Sequence, residues 1–186
     1  MKGIDISAWQ TDIDWQAVKD AGIEFAILKL GQNCQLDSMF VDHINNAVAN
    51  GLKVGLYVYS KATCTEDAQN EAEWTLQQVN TYLDGKCPEM GVWFDAEDNC
   101  MDGADINVIC TSYVEYLKNA VMDMVGVYTS YNWLNNSNID ADIINCPIWM
   151  AQYNNTCDFD HPNLKIWQYT DHFSDDLPYD GNEYFD

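Results

Sequence analysis

Strand-like apolar runs alternate with amphipathic stretches along this chain, and that alternation limits its folds more than any other feature. The runs fall at 3–7 (GIDIS), 25–30 (FAILKL), 54–59 (VGLYVY), 90–96 (MGVWFDA), 125–129 (VGVYT), 148–152 (IWMAQ) and 166–170 (IWQYT), with a further short one at 183–185. Between the early runs lie helical patterns. A short one starts near Asp14 and ends at Gly22, and residues 38–50 set Phe40, Ile44, Ala47 and Val48 on one face and stop at Gly51. From Glu66 to Leu83 the apolar positions are Ala68, Ala72, Leu76, Val79 and Leu83, with Thr65 expected as N-cap and Gly85 just past the end. Asp105 is placed to cap a helix carrying Ile106, Ile109, Tyr113, Leu117 and Val121. Strand–helix–strand alternation predicts a parallel sheet covered by helices. The late runs start 23 (125 to 148) and 18 (148 to 166) residues apart, too close for full helices between them. The expected fold is therefore α/β, an irregular TIM-like (β/α) barrel with shortened or missing helices in the C-terminal third. An open doubly wound sheet is the alternative, but no glycine-rich phosphate loop follows the first strand.

At 186 residues the chain is expected to form one domain with a substantial core. No stretch approaches the ~20 apolar residues that span a bilayer, and none reads as a secretory signal. Thirty acids face eight bases, net −22, and every base is lysine. A chain without arginine lacks the planar fork that reads phosphates and bases, and its charge is repelled by nucleic acid and anionic lipid. No nucleic-acid partner and no membrane insertion are expected, and the chain is expected to act as a monomer. The cysteines at 34, 64, 87, 100, 110, 146 and 157 form no C-x-x-C pair and no cluster with histidine, so neither zinc nor another metal or cofactor is predicted. An odd count fits reduced, mostly buried thiols better than a disulfide framework, although one bridge stays open at this level.

The segment 93–99, WFDAEDN, sets three carboxylates at the end of an apolar run, and ionised carboxylates are costly to bury. Alternate strand residues share a face, so Trp93, Asp95 and Glu97 point one way and Phe94, Ala96 and Asp98 the other. At ~3.3 Å per residue the Asp95 and Glu97 alpha carbons lie ~6.6 Å apart. Paired carboxyls feel each other, so one ionises readily and the other keeps its proton to higher pH, as a general acid beside a charge-stabilising carboxylate requires. Barrel enzymes carry their chemistry at the carboxyl ends of the strands. Asp5 lies near the end of the first strand, and Asp180 follows the last long run, so both can join the same mouth. Asp98, facing away, is excluded from catalysis. Aromatic residues crowd the strands and their ends, among them Trp9, Tyr57, Tyr59, Trp93, Tyr128, Trp149 and Tyr153. Their faces suit the C–H faces of pyranose rings, and their polar edges supply hydrogen bonds.

Taken together these segments resemble glycoside hydrolase family 25, the N-acetylmuramidase lysozymes. The resemblance spans nearly the whole chain: Gly3-Ile4-Asp5-Ile6-Ser7 with Trp9-Gln10, Ile13-Asp14-Trp15, Phe25-Ala26-Ile27-Leu28-Lys29, Gly55-Leu56-Tyr57-Val58-Tyr59-Ser60, Phe94-Asp95-Ala96-Glu97, Tyr128-Thr129-Ser130, Trp149-Met150-Ala151-Gln152-Tyr153 and Ile166-Trp167-Gln168-Tyr169-Thr170. It implies a helix-depleted β/α barrel over residues 1–186, acting as one glycoside hydrolase catalytic domain. It also implies peptidoglycan glycan strands as partner and action on the bacterial cell wall, reached by secretion or by release as an endolysin. Glu97 would be the acid/base and Asp95 its charge-stabilising or nucleophilic partner, with Asp5 and Asp180 completing the catalytic set. Asp180 matches through Asp180-Gly181-Asn182-Glu183-Tyr184, where glycine stands in place of the usual apolar residue. Tyr57, Tyr59, Trp93, Tyr128, Trp149, Gln152 and Tyr153 are expected to bind substrate. Rival readings are a chitin-type glycoside hydrolase, whose longer aspartate run is missing before Asp95, and a non-catalytic glycan- or calcium-binding module. Asp95-Ala96-Glu97-Asp98-Asn99 does not continue as a calcium loop would.

Overall fold

The computed structural model describes residues 1–120, 122–136 and 138–185. The elements run β1 (Lys2–Ile6), α1 (Trp15–Asp20), β2 (Phe25–Gln32), β3 (Gln35–Leu36), α2 (Phe40–Ala49), β4 (Lys53–Tyr59), α3 (Thr65–Tyr82), β5 (Val92–Asp95), a 3-10 turn (Asn99–Met101), α4 (Ile106–Asn119), β6 (Val125–Ser130), α5 (Tyr131–Asn135), α6 (Ala141–Ile144), β7 (Ile148–Ala151), β8 (Leu164–Thr170) and β9 (Asp180–Tyr184). Eight strands close a ring in the order β1-β9-β8-β7-β6-β5-β4-β2, with β2 returning to β1, and β3 folds back on β2 outside it.

From β1 through β2, β4, β5, β6 and β7 to β8 the pairings are parallel. The last strand breaks the expected parallel pattern, because β9 is antiparallel to both β8 and β1. A parallel return needs a crossover of a dozen or more residues, usually helical, and residues 171–179 supply only a turn closed by the Ser174–Leu177 bridge. The chain leaves β8 at the mouth and re-enters the ring there, so the first residue of β9, Asp180, sits at the mouth end. The thinning of helices in this third is as expected: α5 and α6 have five and four residues. Between β7 and β9 the described residues form no helix.

Two apolar layers hold the ring. Inside it, Phe25, Ile27, Met90, Trp93, Tyr128, Trp149 and Ile166 fill the barrel below the mouth. Large rings fit there because small residues face them. A Cβ at Gly3 would stand 2.3 Å from the Phe25 ring, and one at Gly126 2.5 Å from that of Trp93. Outside, Leu28, Leu56, Phe94 and Val127 pack against Phe40, Ala72, Tyr113 and Leu117 from the helices. Asp14 and Asp105 cap α1 and α4 by accepting from backbone N–H groups, as the sequence position of Asp105 predicts.

Some local expectations change. Thr65 is the first residue of α3 and not its cap; Cys64 takes that place without a side-chain bond, and Asp67 instead accepts from Thr63 N and Oγ1 at 2.9 Å each. Val48 lies off the buried face of α2, 59% exposed, while Phe40, Ile44 and Ala47 are buried. Val121, expected on α4, lies outside the described residues. All seven cysteines are free, and only Cys110 and Cys146 are buried, contrary to mostly buried thiols. Exposed Cys34, Cys64 and Cys100 occupy a strand turn, a helix cap and the 3-10 turn, where no apolar face covers them.

Candidate active site

Asp95 is the last residue of β5, Glu97 follows two residues on, and Asp5 stands on β1 directly opposite Asp180 on β9. All four border one depression of ≈ 200 Å³ at the mouth, with Lys29, Tyr57 and Tyr128 among its other walls. The strand register brings Tyr59 and Tyr128 to either side of Asp95. Asp95 is buried, whereas Glu97 keeps its contact with solvent.

On the β1–β9 side the carboxyls are held by amides. Gln168 Nε2 donates to Asp5 Oδ2 at 2.8 Å and to Asp180 Oδ2 at 3.1 Å, and Asn182 Nδ2 donates to Asp5 Oδ2 at 2.7 Å. Those amides are themselves fixed. Tyr128 and Tyr153 hydroxyls donate to Gln168 Oε1 at 3.0 and 3.3 Å, and Trp149 Nε1 donates to Asn182 Oδ1 at 2.8 Å. Burial nonetheless pushes Asp5 above the usual carboxylate range, aided by the charge of Asp180, and the two amides offset part of it. Asp180 is raised too, by burial and then by Asp171.

On the β5 side the support is missing. Asp95 is only 4% exposed, and its Oδ1 has no hydrogen-bond partner among the described residues. Burial first, and the Glu97 charge second, hold its carboxyl well above the usual range, while Lys29 pulls the other way. Glu97 is also raised, by burial, then by Asp98 and Asp180, against Lys29. Both members of the pair are thus raised chiefly by burial, Asp95 next by the charge of Glu97 and Glu97 next by the charges of Asp98 and Asp180. Asp98 does turn from the mouth, as alternation requires. Tyr59 Oη donates to it at 2.8 Å, Cys100 N at 2.8 Å, and the Lys61 ammonium forms an ion pair with it. Its charge nevertheless reaches Glu97.

Of the residues expected to bind substrate, Tyr57, Tyr59, Tyr128 and Trp149 line the depression, the last as a 1%-exposed floor. Trp93 does not: it is wholly buried beneath, with Nε1 donating to Met90 O at 2.7 Å, because it lies one inward position below Asp95. Gln152 braces its own loop by paired bonds to Asp158 at 2.7 and 3.0 Å. Tyr153 stands at the rim through Gln168. The residues that sequence reading did not single out are Lys29, Gln168 and Asn182. Alternation held the signal, since Gln168 lies two positions after inward Ile166 and Asn182 two after Asp180. Among the described residues no group of three or more His, Cys, Asp or Glu side chains is placed to hold a metal ion.

A closed eight-stranded ring with its carboxylates gathered at the mouth defines a β/α-barrel protein built like the barrel hydrolases. The model of the glycosyl hydrolases family 25 matches residues 4–176, and the chain belongs to that family. It is 33% identical over 156 residues to an autolytic lysozyme of Clostridium acetobutylicum, covering 82% of this chain and 45% of that protein. It is 26% identical over 191 residues to lysozyme M1 of Streptomyces globisporus, covering 91% and 62%. The chain thus spans roughly half of the relatives' own lengths. The modular autolysin LytC of Streptococcus pneumoniae shares the fold at a TM-score of 0.85 and 24% identity, over 99% of this chain and 46% of that one.

Proposed function

We propose that this chain hydrolyses peptidoglycan, cutting the β-1,4 bond between N-acetylmuramic acid and N-acetylglucosamine, with Glu97 as general acid and then base. The observation that carries the reading is the burial of Asp95 beside Glu97 without a hydrogen-bond donor for Oδ1. A carboxylate in that state is destabilised until a positive partner arrives, and glycosidic cleavage creates one at the sugar. Asp95 is then the group that faces the developing charge. Glu97, raised by burial and by Asp98 yet open to solvent, is placed to hand over a proton and afterwards to exchange it with water. Asp5 and Asp180 complete the acidic floor, where Gln168 fixes both.

The relatives support the substrate class: two are named lysozymes, and the LytC autolysin has been solved in complex with a synthetic peptidoglycan ligand. On this reading the protein acts on the bacterial cell wall, and residues 1–186 form one catalytic unit, since the first and last strands pair to close the ring. Mass spectrometry of borohydride-reduced peptidoglycan digests tests it. Muramitol at the new reducing ends is expected; glucosaminitol, or no new ends, refutes it.

A further inference from the structure

Helix α3 buries a stripe of Ala68, Ala72, Thr75 and Val79, and Glu71 sits within that stripe, 5% exposed. A carboxyl in such a place is costly unless donors meet it, and both of its oxygens are met. Ser60 Oγ donates to Oε2 at 2.7 Å, and Lys61 N donates to Oε1 at 3.1 Å. Burial raises Glu71 above the usual carboxylate range, and these two donors offset part of the rise. Glu71 does not wall the catalytic depression. Its partners belong to the loop that leaves β4 beside the catalytic pair. Residues 60–63 of that loop lie outside helix and strand, and each N–H has an acceptor. Ser60 N donates to Asp95 O at 3.0 Å, Lys61 N to Glu71, Ala62 N to Ser60 Oγ at 3.0 Å and Thr63 N to Asp67 Oδ2 at 2.9 Å. Ser60 is therefore a joint, its N–H on the strand that ends in Asp95 and its hydroxyl on Glu71.

From this joint the Lys61 side chain reaches Asp98. Its ammonium pairs with that carboxylate and lies 5.2 Å from the centre of the Tyr59 ring, whose hydroxyl donates to Asp98 at 2.8 Å. A lysine open to solvent gains little from an ion pair once its long side chain must be ordered. The pair then depends on where the backbone holds Lys61. Cys100 Sγ, 3.6 Å from Lys61 O, ties the same backbone to the 3-10 turn. The charges acting on Glu97 are those of Asp98, Asp180 and Lys29. The charge of Glu71 acts on Cys34, Cys100 and Tyr113, and Asp67 faces it from one turn earlier on α3. Glu71 thus reaches the acid through the position of Lys61 and not through its own charge.

We propose that Glu71 is a positioning residue for the acid/base centre: it anchors Ser60 and Lys61 so that the Lys61 ammonium neutralises Asp98, which limits how far Asp98 favours the protonated form of Glu97. The proposal rests on the peptidoglycan reading for the part Glu97 plays in turnover, whereas the anchoring can be measured without substrate.

NMR titration of the Glu97 carboxyl tests this, with the pH profile of kcat/KM on peptidoglycan measured alongside. Glu71→Ala frees the loop and should raise the Glu97 midpoint by about half a pH unit, in the direction of Lys61→Met. Glu71→Gln removes the charge but keeps an acceptor for Lys61 N, and should leave the midpoint within about 0.2 unit. In the Lys61→Met protein, Glu71→Ala should add no further shift, because both changes act on one contact. Ser60→Ala disturbs the same joint with a smaller change in volume, should also raise the midpoint, and replaces Glu71→Ala if that variant does not fold. An unmoved or lowered midpoint in the variant that folds, an equal rise from Glu71→Gln, or a full further rise on Lys61→Met overturns the proposal. An alkaline limb of kcat/KM that moves with the midpoint supports the anchoring and the role of Glu97 together. A midpoint that rises while the limb stays, or while the unaltered protein has no turnover, supports the anchoring and sinks the proposed function alone.

Discussion

Asp5 and Asp95 occupy one acidic mouth on different sides of the ring, and their surroundings differ. Asp5 receives two amide N–H groups, from Gln168 and Asn182, which are themselves anchored by Tyr128, Tyr153 and Trp149. Asp95 is as deeply placed, and its Oδ1 receives nothing from the described residues. On one side amide donors offset part of the cost of burying the carboxyl, while on the other an oxygen is left short of a partner among the described residues. Stability and function divide along the same line, since a site that waits for charge is destabilised until the reaction supplies it.

Glu97→Gln should break the comparison most completely. Turnover on peptidoglycan should fall about a thousandfold, with the melting temperature at pH 4 unchanged, because on the proposed reading the proton source is lost while the ring is untouched. Asp95→Asn should lower turnover about a hundredfold and yet stabilise the fold at pH 8. The sign follows from burial. Asp95 titrates above its unfolded value, so its contribution is intact at acid pH and is lost as pH rises through the folded value. An amide escapes that loss, and a gain on the order of 2 kcal/mol, or about 4–8 °C, is expected at pH 8 and should vanish near pH 4. Asp5→Asn, which gives up bonds to a carboxylate, should gain less.

The supported side is probed by Gln168→Leu. It removes the donor to Asp5 and Asp180 and the acceptor for two tyrosines, so calorimetry should show a loss of about 3 kcal/mol, or roughly 6–12 °C. Smaller effects come from Asp98, whose charge helps to raise Glu97. Asp98→Asn should move the alkaline limb of kcat/KM down by about half a pH unit, and Lys61→Met, which leaves Asp98 unneutralised, should move it up. Last, the net charge of −22 opposes an anionic wall, so lysis of whole walls should rise with moderate salt.

Much of this was legible in the sequence. Period-two alternation identified the strands that carry Asp5 and Asp95, and helical spacing identified α2, α3 and α4. Strand spacing also exposed the helix-poor third. Three things were not legible, each for a physical reason. The direction of β9 depends on a connection too short to cross the barrel, and apolar pattern is blind to strand direction. The burial of Trp93 depends on how far below the mouth each inward layer lies, whereas alternation gives only the side. The roles of Gln168 and Asn182 depend on partners 163 and 177 residues away in the chain. Spacing set Asp95 beside Glu97, whereas what raises each carboxyl follows burial and the neighbouring charges.

Titration of the side-chain carboxyl carbons by NMR measures the difference between the two sides directly. The account predicts that Asp95 and Glu97 both ionise above the ordinary carboxylate range, while Asp98, held by Lys61 and backbone N–H, ionises well below it. Asp95 and Glu97 both titrating at ordinary carboxylate values would contradict it, because the mouth would then hold no carboxyl kept protonated by want of a partner.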